Sequence, residues 1–200
     1  MVQLTDVTLI ALSGLNYQTK ENIKALDISS KDIKFGAVKY IQLGEVNDID
    51  SWNRAIIYEF PKYVDTSHAL LIHGDGYVVN PSLWRLEWLQ YDYVGAPWPL
   101  PQDDYSYRDG EGNIVRVGNS VSLRSKKLMD MMTAIPEDYF WSMKEKYGNT
   151  NEDGFICCHN RLWLEKGGCK FAPLEVAMNF SKEHEIPENK GLMTFAFHSL

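Results

Sequence analysis

Cysteine is scarce in this sequence, and its three cysteines do not form a disulfide framework. Cys157 and Cys158 are adjacent and Cys169 stands apart, which is an odd count without the spacings of paired cysteines. His159 follows the adjacent pair, but a zinc site needs four ligands at characteristic spacings. We therefore expect reduced, buried thiols and a cytoplasmic location.

Long apolar runs and an excess of positive charge are also absent. No segment approaches the ~20 consecutive apolar residues that span a bilayer, and the first residues lack the basic start of a signal peptide. The formal net charge is −7, whereas a nucleic-acid partner selects clustered Lys and Arg. We expect no membrane span and no nucleic-acid partner. Acidic proteins that bind anionic nucleotides use divalent cations and helix N-termini instead.

The composition is otherwise that of a folded domain. Hydrophobic residues make up 44% and charged residues 24% of the chain, which excludes disorder. Six Trp and eleven Tyr are flat, amphipathic side chains that line sugar and nucleotide sites and also fill ordinary cores. Because no linker or repeat divides the chain, residues 1–200 are predicted to form a single domain, which could itself be part of a longer protein.

The first half alternates strands and helices. Short apolar runs predict buried strands, and segments with a capping residue or one apolar face predict helices. The strands are 7–12, 35–41 and 69–72, and the helices are 19–26 and 49–63. This order predicts a doubly wound α/β fold, with a mostly parallel central sheet and helices on both faces. Ligands bind outside the carboxyl ends of such strands, which selects Ser13-Gly14 and residues 73–76.

The second half is more irregular. Proline, glycine and aspartate predict an exposed loop, and Gly118-Asn119 predicts a tight turn before a short strand. The loop is 101–112, a strand that ends in a rigid turn is 91–99, and the helices are 81–89, 125–134 and 154–166.

His73-Gly74-Asp75-Gly76 is the first candidate site. A carboxylate directly after a buried strand, between glycines, is well placed to bind a hard cation such as Mg²⁺ or Mn²⁺. Asp75 is the candidate ligand, and His73 is a second ligand or a contact to sugar or phosphate. Gly-Asp-Gly is also an ordinary turn sequence, so both interpretations stay open here.

Two further groups of polar residues have functional and structural interpretations. Glu152 and Asp153 begin a predicted helix, where they either cap it or supply a general base. Asn119 could bind sugar hydroxyls and Arg124 could pair with an anion, or both could be structural. His198 lies in an aromatic C-terminal stretch that is typical of a half-buried structural histidine.

The order of these segments resembles a family of small GT-A-like glycosyltransferases. The family has bacterial and large-DNA-virus members, including viral capsid-protein glycosyltransferases, and many members are described only as domains of unknown function. The resemblance covers residues from about 7 to 198 and is most specific at 92–98 and 122–125. Its segments are 71–77, with His73-Gly74-Asp75-Gly76; 91–98; 118–125; and 151–153, Asn151-Glu152-Asp153.

The resemblance implies a GT-A fold and a set of site residues. The nucleotide-binding half would be about 1–90 and the acceptor-binding half about 91–200. The family's Asp-x-Asp motif corresponds to His73-Gly74-Asp75, so only its last acid is kept, and its Gly-Asn-Gly-Gly turn reads Gly118-Asn119-Ser120-Val121. The implied roles are metal ligands Asp75 and His198; base Asp153 with partner Glu152; acceptor platform Tyr93 and Trp98; and nucleotide or donor contacts Ala11, Ser13, Gly14, Asn53, Arg54, His73, Gly74, Asp75, Asn119 and Arg124.

The implied activity is metal-dependent, inverting transfer of a sugar from a nucleoside-diphosphate sugar. UDP is the commonest nucleotide in such enzymes, and the acceptor would be a hydroxyl of a glycan or glycoprotein. For a viral protein the location would be the host cytoplasm. A non-catalytic carbohydrate-binding module is the alternative. A nucleotidyltransferase is less consistent with the sequence, because Ser13-Gly14-Leu15-Asn16 is not a Gly-rich, basic phosphate loop.

Overall fold

The computed structural model describes residues 1–15, 19–148 and 150–198, with only the backbone described at Ser120 and Tyr147. Seven strands and seven helices lie in these residues. The strands are β1 Val2–Ser13, β2 Ile33–Gln42, β3 His68–Leu71, β4 Tyr93–Pro97, β5 Val117–Ser125, β6 Ser181–Lys182 and β7 Ala196–Phe197. The helices are α1 Thr19–Ser30, α2 Ile49–Tyr58, α3 Lys126–Thr133, α4 Glu137–Tyr147, α5 Glu152–Gly154, α6 Arg161–Lys166 and α7 Leu174–Phe180.

The first five strands form one sheet in the order β2-β1-β3-β5-β4, and β6 pairs with β7 separately. Strand β1 pairs in parallel with β2 and β3, while β5 is antiparallel to both β3 and β4. Four of the five strands therefore run in one direction, and the predicted α/β fold with a mostly parallel sheet is confirmed. The sheet combines strands from both predicted halves of the chain.

Strand β1 is buried on both faces, as its continuous apolar sequence predicts. Alternate side chains point to opposite faces of a strand. Leu9 packs in the cluster that includes Leu26 of α1, and Ile10 packs in the cluster that includes Trp52 and Ile56 of α2. Helices consequently cover both faces of the sheet.

Several element boundaries differ from the sequence prediction. Helix α2 ends at Tyr58 and a 3₁₀ turn, Phe60–Tyr63, follows it, because Pro61 cannot continue the α-helical hydrogen bonding. The predicted helix 81–89 is two 3₁₀ turns, Pro81–Leu83 and Leu86–Gln90. The predicted helix 154–166 begins earlier, at Glu152, and a π-helical turn, Phe155–His159, separates α5 from α6.

Gly118-Asn119 is not the turn that the sequence suggested. Both residues lie inside β5, where Asn119 has a left-handed φ of 82°. The pairing register between β4 and β5 shifts between Val94 and Ala96. An irregularity of this kind bends a strand and redirects its side chains.

The three cysteines are free and buried, as expected for reduced thiols. Of the helices in the part of the chain that the structure describes, none has the length and apolarity that a membrane-spanning helix requires.

Candidate functional site

The segment 73–76 is a tight turn at the carboxyl end of β3. The backbone N–H of His73 donates to the carbonyl of Gly76 (2.7 Å), and the N–H of Gly76 donates to the carbonyl of His73 (3.2 Å). This pairing projects Asp75 from the end of the turn, and the Asp75 side chain is 51% exposed. The carboxylate is therefore available to a ligand at the sheet edge where α/β proteins bind ligands.

The C-terminal segment returns to this turn. Ala196 of β7 bridges to Val78, and the backbone N–H groups of Val79 and Asn80 both donate to the carbonyl of Phe195 (3.0 and 3.1 Å). A side chain at Gly76 would overlap the His198 ring, so the glycine allows this close approach. As a result, residues that are far apart in the sequence meet at one site.

His198 and Asp75 form the candidate metal pair. Nε2 of His198 lies 3.5 Å from Oδ1 of Asp75. Within residues 1–15, 19–148 and 150–198, no cluster of three or more His, Cys, Asp or Glu side chains is arranged to hold a metal ion. Mg²⁺, however, usually takes only one or two protein ligands and completes its shell with substrate phosphates and water. One carboxylate oxygen from the half-exposed Asp75 and one imidazole nitrogen from the mostly buried His198 fit such a nucleotide-bound ion.

Glu183 contacts the other side of His198. Its Oε1 lies 3.1 Å from Nδ1 of His198, and its Oε2 lies 3.8 Å from Nε2 of His184. Burial lowers the pKa of His198, but the hydrogen bond to Glu183 and the negative charges of Glu183 and Asp75 outweigh burial, so this pKa is raised.

The acidic pair Glu152-Asp153 is held by buried contacts. The amide oxygen of Asn53 accepts the backbone N–H of Glu152 (3.1 Å), and Nη2 of Arg124 donates to Oε2 of Glu152 (2.7 Å). The side chains of Arg124 and Glu152 are 1% and 0% exposed. These positions correct three sequence interpretations. Arg124 pairs with Glu152 rather than with a ligand anion, and Asn53 binds the backbone of Glu152 rather than a nucleotide. The Glu152 carboxylate is buried and does not face a cleft.

Asp153 faces a cleft of about 530 Å³. Burial and the neighbouring charge of Glu152 raise the pKa of Asp153 to about 7. A carboxylate with this pKa is suited to accept a proton near neutral pH. The cleft is lined by aromatic, charged and small polar residues: Trp98, Tyr105, Ser106, Tyr107, Arg108, Thr150, Asn151, Asp153, Gly154, Cys158, His159, Glu183 and His184.

Glu183 connects the two parts of the site. It lines the cleft that Asp153 faces and contacts His198 of the metal pair. Asp75, His198 and Asp153 were all predicted from the sequence, and the structure brings them to adjoining positions.

The two predicted acceptor residues differ in accessibility. Trp98 lines the cleft and stacks on Tyr107 with ring centroids 4.8 Å apart. Tyr93 is fully buried, where its hydroxyl donates to the Asn119 carbonyl and its ring lies under the Arg124 guanidinium at 5.5 Å. The interpretation of Tyr93 as an acceptor platform is therefore wrong, because its ring belongs to the core.

Several predicted donor contacts are structural. Arg54 lies outside the cleft and pairs with Glu137 (2.7 Å) and Glu59 (3.0 Å). Gly74 faces α1, since a side chain there would overlap Glu21; it does not provide open space for a phosphate. The His73 ring is buried between Trp52 and His198, with centroid distances of 5.1 and 5.2 Å.

The remaining donor predictions lie at strand ends and in β5. Ala11 is fully buried. The Ser13 hydroxyl lies 2.6 Å from that of Tyr40, and the Gly14 carbonyl accepts from Thr19 (3.2 Å). The Asn119 amide oxygen accepts from the backbone of Val121 (2.7 Å), so this side chain supports the strand irregularity.

The sequence interpretation missed most of the cleft lining. Glu183 and His184 lie in a charged segment that resembles a solvated surface, and Tyr107 and Arg108 lie in the loop 101–112, which was interpreted only as exposed. The available signal in that loop was its pair of tyrosines, Tyr105 and Tyr107.

Two solved glycosyltransferase structures are similar to this chain over almost its whole length. The galactosyltransferase LgtC, in complex with donor and acceptor sugar analogs, matches with a TM-score of 0.55 and 14% identity, covering 96% of this chain and 86% of LgtC. A glycosyltransferase involved in glycosylation of the major capsid of PBCV-1 matches with a TM-score of 0.57 and 12% identity, covering 96% and 91%. These similarities confirm the GT-A fold.

A family model described as "Protein of unknown function (DUF5672)" matches residues 38–198. Among curated proteins, no sequence matches the chain.

Proposed function

The chain belongs to the DUF5672 family of proteins of unknown function, and we propose that it is a glycosyltransferase. It would move a sugar from a nucleoside-diphosphate sugar, with UDP as the nucleotide, to a hydroxyl of a glycan or glycoprotein. One observation carries the proposal: in a GT-A fold, the Asp75–His198 pair adjoins a cleft that contains a carboxylate of raised pKa. The glycoprotein acceptor is included because one of the similar solved structures is a glycosyltransferase involved in the glycosylation of a viral major capsid.

Asp75 and His198 are the residues that would hold a divalent ion, Mn²⁺ or Mg²⁺, on the donor diphosphate. When bound, the ion supplies positive charge that stabilises the leaving nucleotide. The two side chains offer one oxygen and one nitrogen at 3.5 Å from each other, which is too few ligands for tight binding of a free ion. Metal binding should therefore depend on the nucleotide.

Asp153 is the proposed general base. Its carboxylate would accept the proton of the acceptor hydroxyl while that oxygen attacks the anomeric carbon and the bond to the diphosphate breaks. A single displacement of this kind inverts the anomeric configuration. Glu152 acts through Asp153 as a positioning residue, because its buried pair with Arg124 fixes the segment that carries the base.

The acceptor would lie along the loop 101–112. The cleft at Asp153 continues into a second groove of about 770 Å³, and the two share Tyr105, Arg108 and His159. Tyr105 is strongly exposed and Tyr139 in the second groove is partly exposed. Exposed aromatic rings beside polar groups suit the apolar faces and hydroxyls of sugars.

Thermal unfolding with UDP, UDP-glucose or UDP-galactose, each with and without Mn²⁺, tests the donor side. We expect a rise in Tm only when nucleotide and Mn²⁺ are both present, together with slow Mn²⁺-dependent hydrolysis of the sugar nucleotide. A carbohydrate-binding module would bind glycans and give neither result. Absence of nucleotide binding and hydrolysis over a panel that also includes GDP- and CMP-sugars would contradict the proposed function.

A further inference from the structure

We propose that Glu183 is a positioning residue that holds His198 with Nε2 unprotonated and directed at the metal position beside Asp75. The proposal rests on the function proposed above. Nothing in the sequence pattern marks Glu183, and the structure alone brings it to His198. Its role would be to select one of the two neutral forms of the imidazole and one orientation of the ring.

The backbone places these two residues side by side. Strands β6 and β7 are parallel, with Ser181 opposite Ala196 and Lys182 opposite Phe197. The ladder continues through the backbone N–H of His198, which donates to the carbonyl of Lys182 (2.9 Å). The next residues in this register are Glu183 and His198, so the contact between their side chains follows from strand pairing.

The distances favour one protonated nitrogen. Nδ1 of His198 lies 3.1 Å from Oε1 of Glu183, which is hydrogen-bond distance, whereas Nε2 lies 3.5 Å from Asp75. The Glu183 side chain is 11% exposed and that of Asp75 is 51% exposed. A hydrogen bond to the less solvated carboxylate is the stronger of the two, so in the neutral ring the proton resides on Nδ1.

The consequence is a lone pair on Nε2 that faces Asp75. In proteins, a histidine that ligates a metal through one nitrogen donates its other N–H to a carboxylate or carbonyl, which sets the tautomer and the ring orientation. Glu183 is placed to accept that N–H, and its second oxygen faces His184 at 3.8 Å. Asp75, His198 and Glu183 thus have the arrangement of carboxylate ligand, imidazole ligand and supporting carboxylate.

The tautomer can be measured in the protein without metal. Two-bond ¹H–¹⁵N correlation spectra of ¹⁵N-histidine-labelled protein at about pH 9 distinguish a protonated Nδ1 from a protonated Nε2. We expect the Nδ1–H form of His198 in the wild type and a mixture, or the Nε2–H form, in Glu183→Ala. A wild-type His198 protonated on Nε2 would overturn the proposal.

A second experiment measures the binding of Mn²⁺ in the presence of UDP by electron paramagnetic resonance. We expect Glu183→Ala to weaken Mn²⁺ binding about 10- to 100-fold and Glu183→Gln to weaken it less, because the amide oxygen still accepts the N–H. Glu185→Ala is the matched control, since Glu185 is an exposed carboxylate of the same segment that pairs with Lys182; it should bind as the wild type does.

The outcomes separate the two proposals. If the wild type binds Mn²⁺ with UDP and both Glu183 variants bind it equally well, the role of Glu183 is wrong. If the wild type binds no Mn²⁺ with UDP, the proposed function loses its metal site, and the tautomer of His198 still decides whether Glu183 orients the ring. Glu183→Gln keeps the test valid if Glu183→Ala fails to fold.

Discussion

Arg124 and Glu152 form a fully buried ion pair, with Nη2 2.7 Å from Oε2, that joins β5 to the segment carrying Asp153. Nε of Arg124 also donates to the Ser122 hydroxyl (2.7 Å). The pair fixes the backbone directly beside the proposed base, and the Glu152 charge contributes to the raised pKa of Asp153. The ion pair therefore fixes the position of the neighbouring carboxylate, whereas the pKa of Asp153 is raised by burial and by the Glu152 charge, and the Arg124 charge partly offsets this increase.

Asp153→Asn should abolish sugar transfer while nucleotide binding is retained. Loss of a general base typically costs 10²–10⁴-fold in kcat, and the amide keeps the size of the side chain. Transfer to an acceptor and the Kd for UDP with Mn²⁺ would be measured side by side. Transfer at the wild-type rate would contradict the assignment of Asp153 as the base.

The pH dependence of transfer should follow ionisation of Asp153. Because the pKa of this carboxyl is raised to about 7, we expect kcat to rise about tenfold per pH unit below that value and to level off above it. A rate that is constant between about pH 5 and 8 would mean that proton transfer to Asp153 does not limit the reaction.

Asp153 should also make folding stability depend on pH. The folded-state pKa lies above the unfolded value, so the neutral carboxyl favours the folded state at low pH and this contribution is lost as the pH rises through about 7. Asp153→Asn should match the wild type near pH 4 and be more stable by about 4 kcal/mol at pH 8, since the pKa is raised by about three units and each unit is worth about 1.4 kcal/mol. Urea unfolding at both values tests this, and equal stabilities at pH 8 would contradict it.

Removing one partner of the buried ion pair should destabilise the protein strongly. Glu152→Gln leaves the Arg124 charge buried without its carboxylate, at a cost of about 3–5 kcal/mol. Arg124→Met combined with Glu152→Gln removes that charge and should recover part of the loss. Urea unfolding of the single and double variants gives the coupling, and additive effects would show that the pair is energetically unimportant.

Gly76→Ala should displace His198. The added methyl group would overlap Val121 and the His198 ring, and overpacking of this kind costs about 1–3 kcal/mol. We expect a lower Tm and weaker binding of Mn²⁺ with UDP. Gly44→Ala is the control, because its methyl group would meet Leu15 only at an ordinary contact distance of 3.9 Å. Unchanged Mn²⁺ binding in Gly76→Ala would argue against His198 as a ligand.

Tyr105→Ala should weaken acceptor binding without affecting the donor. Tyr105 lines both parts of the cleft and is exposed, so its loss should raise the acceptor KM about tenfold and leave hydrolysis of the sugar nucleotide unchanged. Leu86→Ala, which removes an exposed side chain outside both cleft linings, is the control. An unchanged KM would place the acceptor elsewhere.

The sequence predicted the sheet well where local pattern decides structure. The continuous apolar runs of β1 and β3 predicted buried strands, and the turn after β3 was located correctly. Helix α4, Glu137–Tyr147, was missed because only a few apolar side chains, such as Phe140, are set among charged neighbours. The sequence of this segment alone does not show that these side chains form one buried face, because that face is defined by the other elements of the core.

The site was predictable only in part, because its contacts are between distant residues. Residue type and position indicated Asp75 and Asp153, and the family resemblance added His198. No spacing in the sequence indicates that Arg124 pairs with Glu152 or that Tyr93 is buried beneath Arg124. From the sequence alone, Arg124 and Tyr93 are therefore predicted to contact ligands. Glu183 lies in a charged segment, and the β6–β7 ladder that aligns it with His198 consists of two residue pairs.

The shortness of β7, Ala196–Phe197, has a consequence for the order of folding and for motion. Bringing His198 to Asp75 closes a loop of more than half the chain, and the loss of chain entropy favours forming it after the central sheet. Because only two residue pairs hold β7 to β6, we expect amide hydrogen exchange at Phe197 and His198 to be faster than in the central sheet. A ligand that bridges Asp75 and His198 would slow that exchange, which links occupancy of the site to attachment of the last strand.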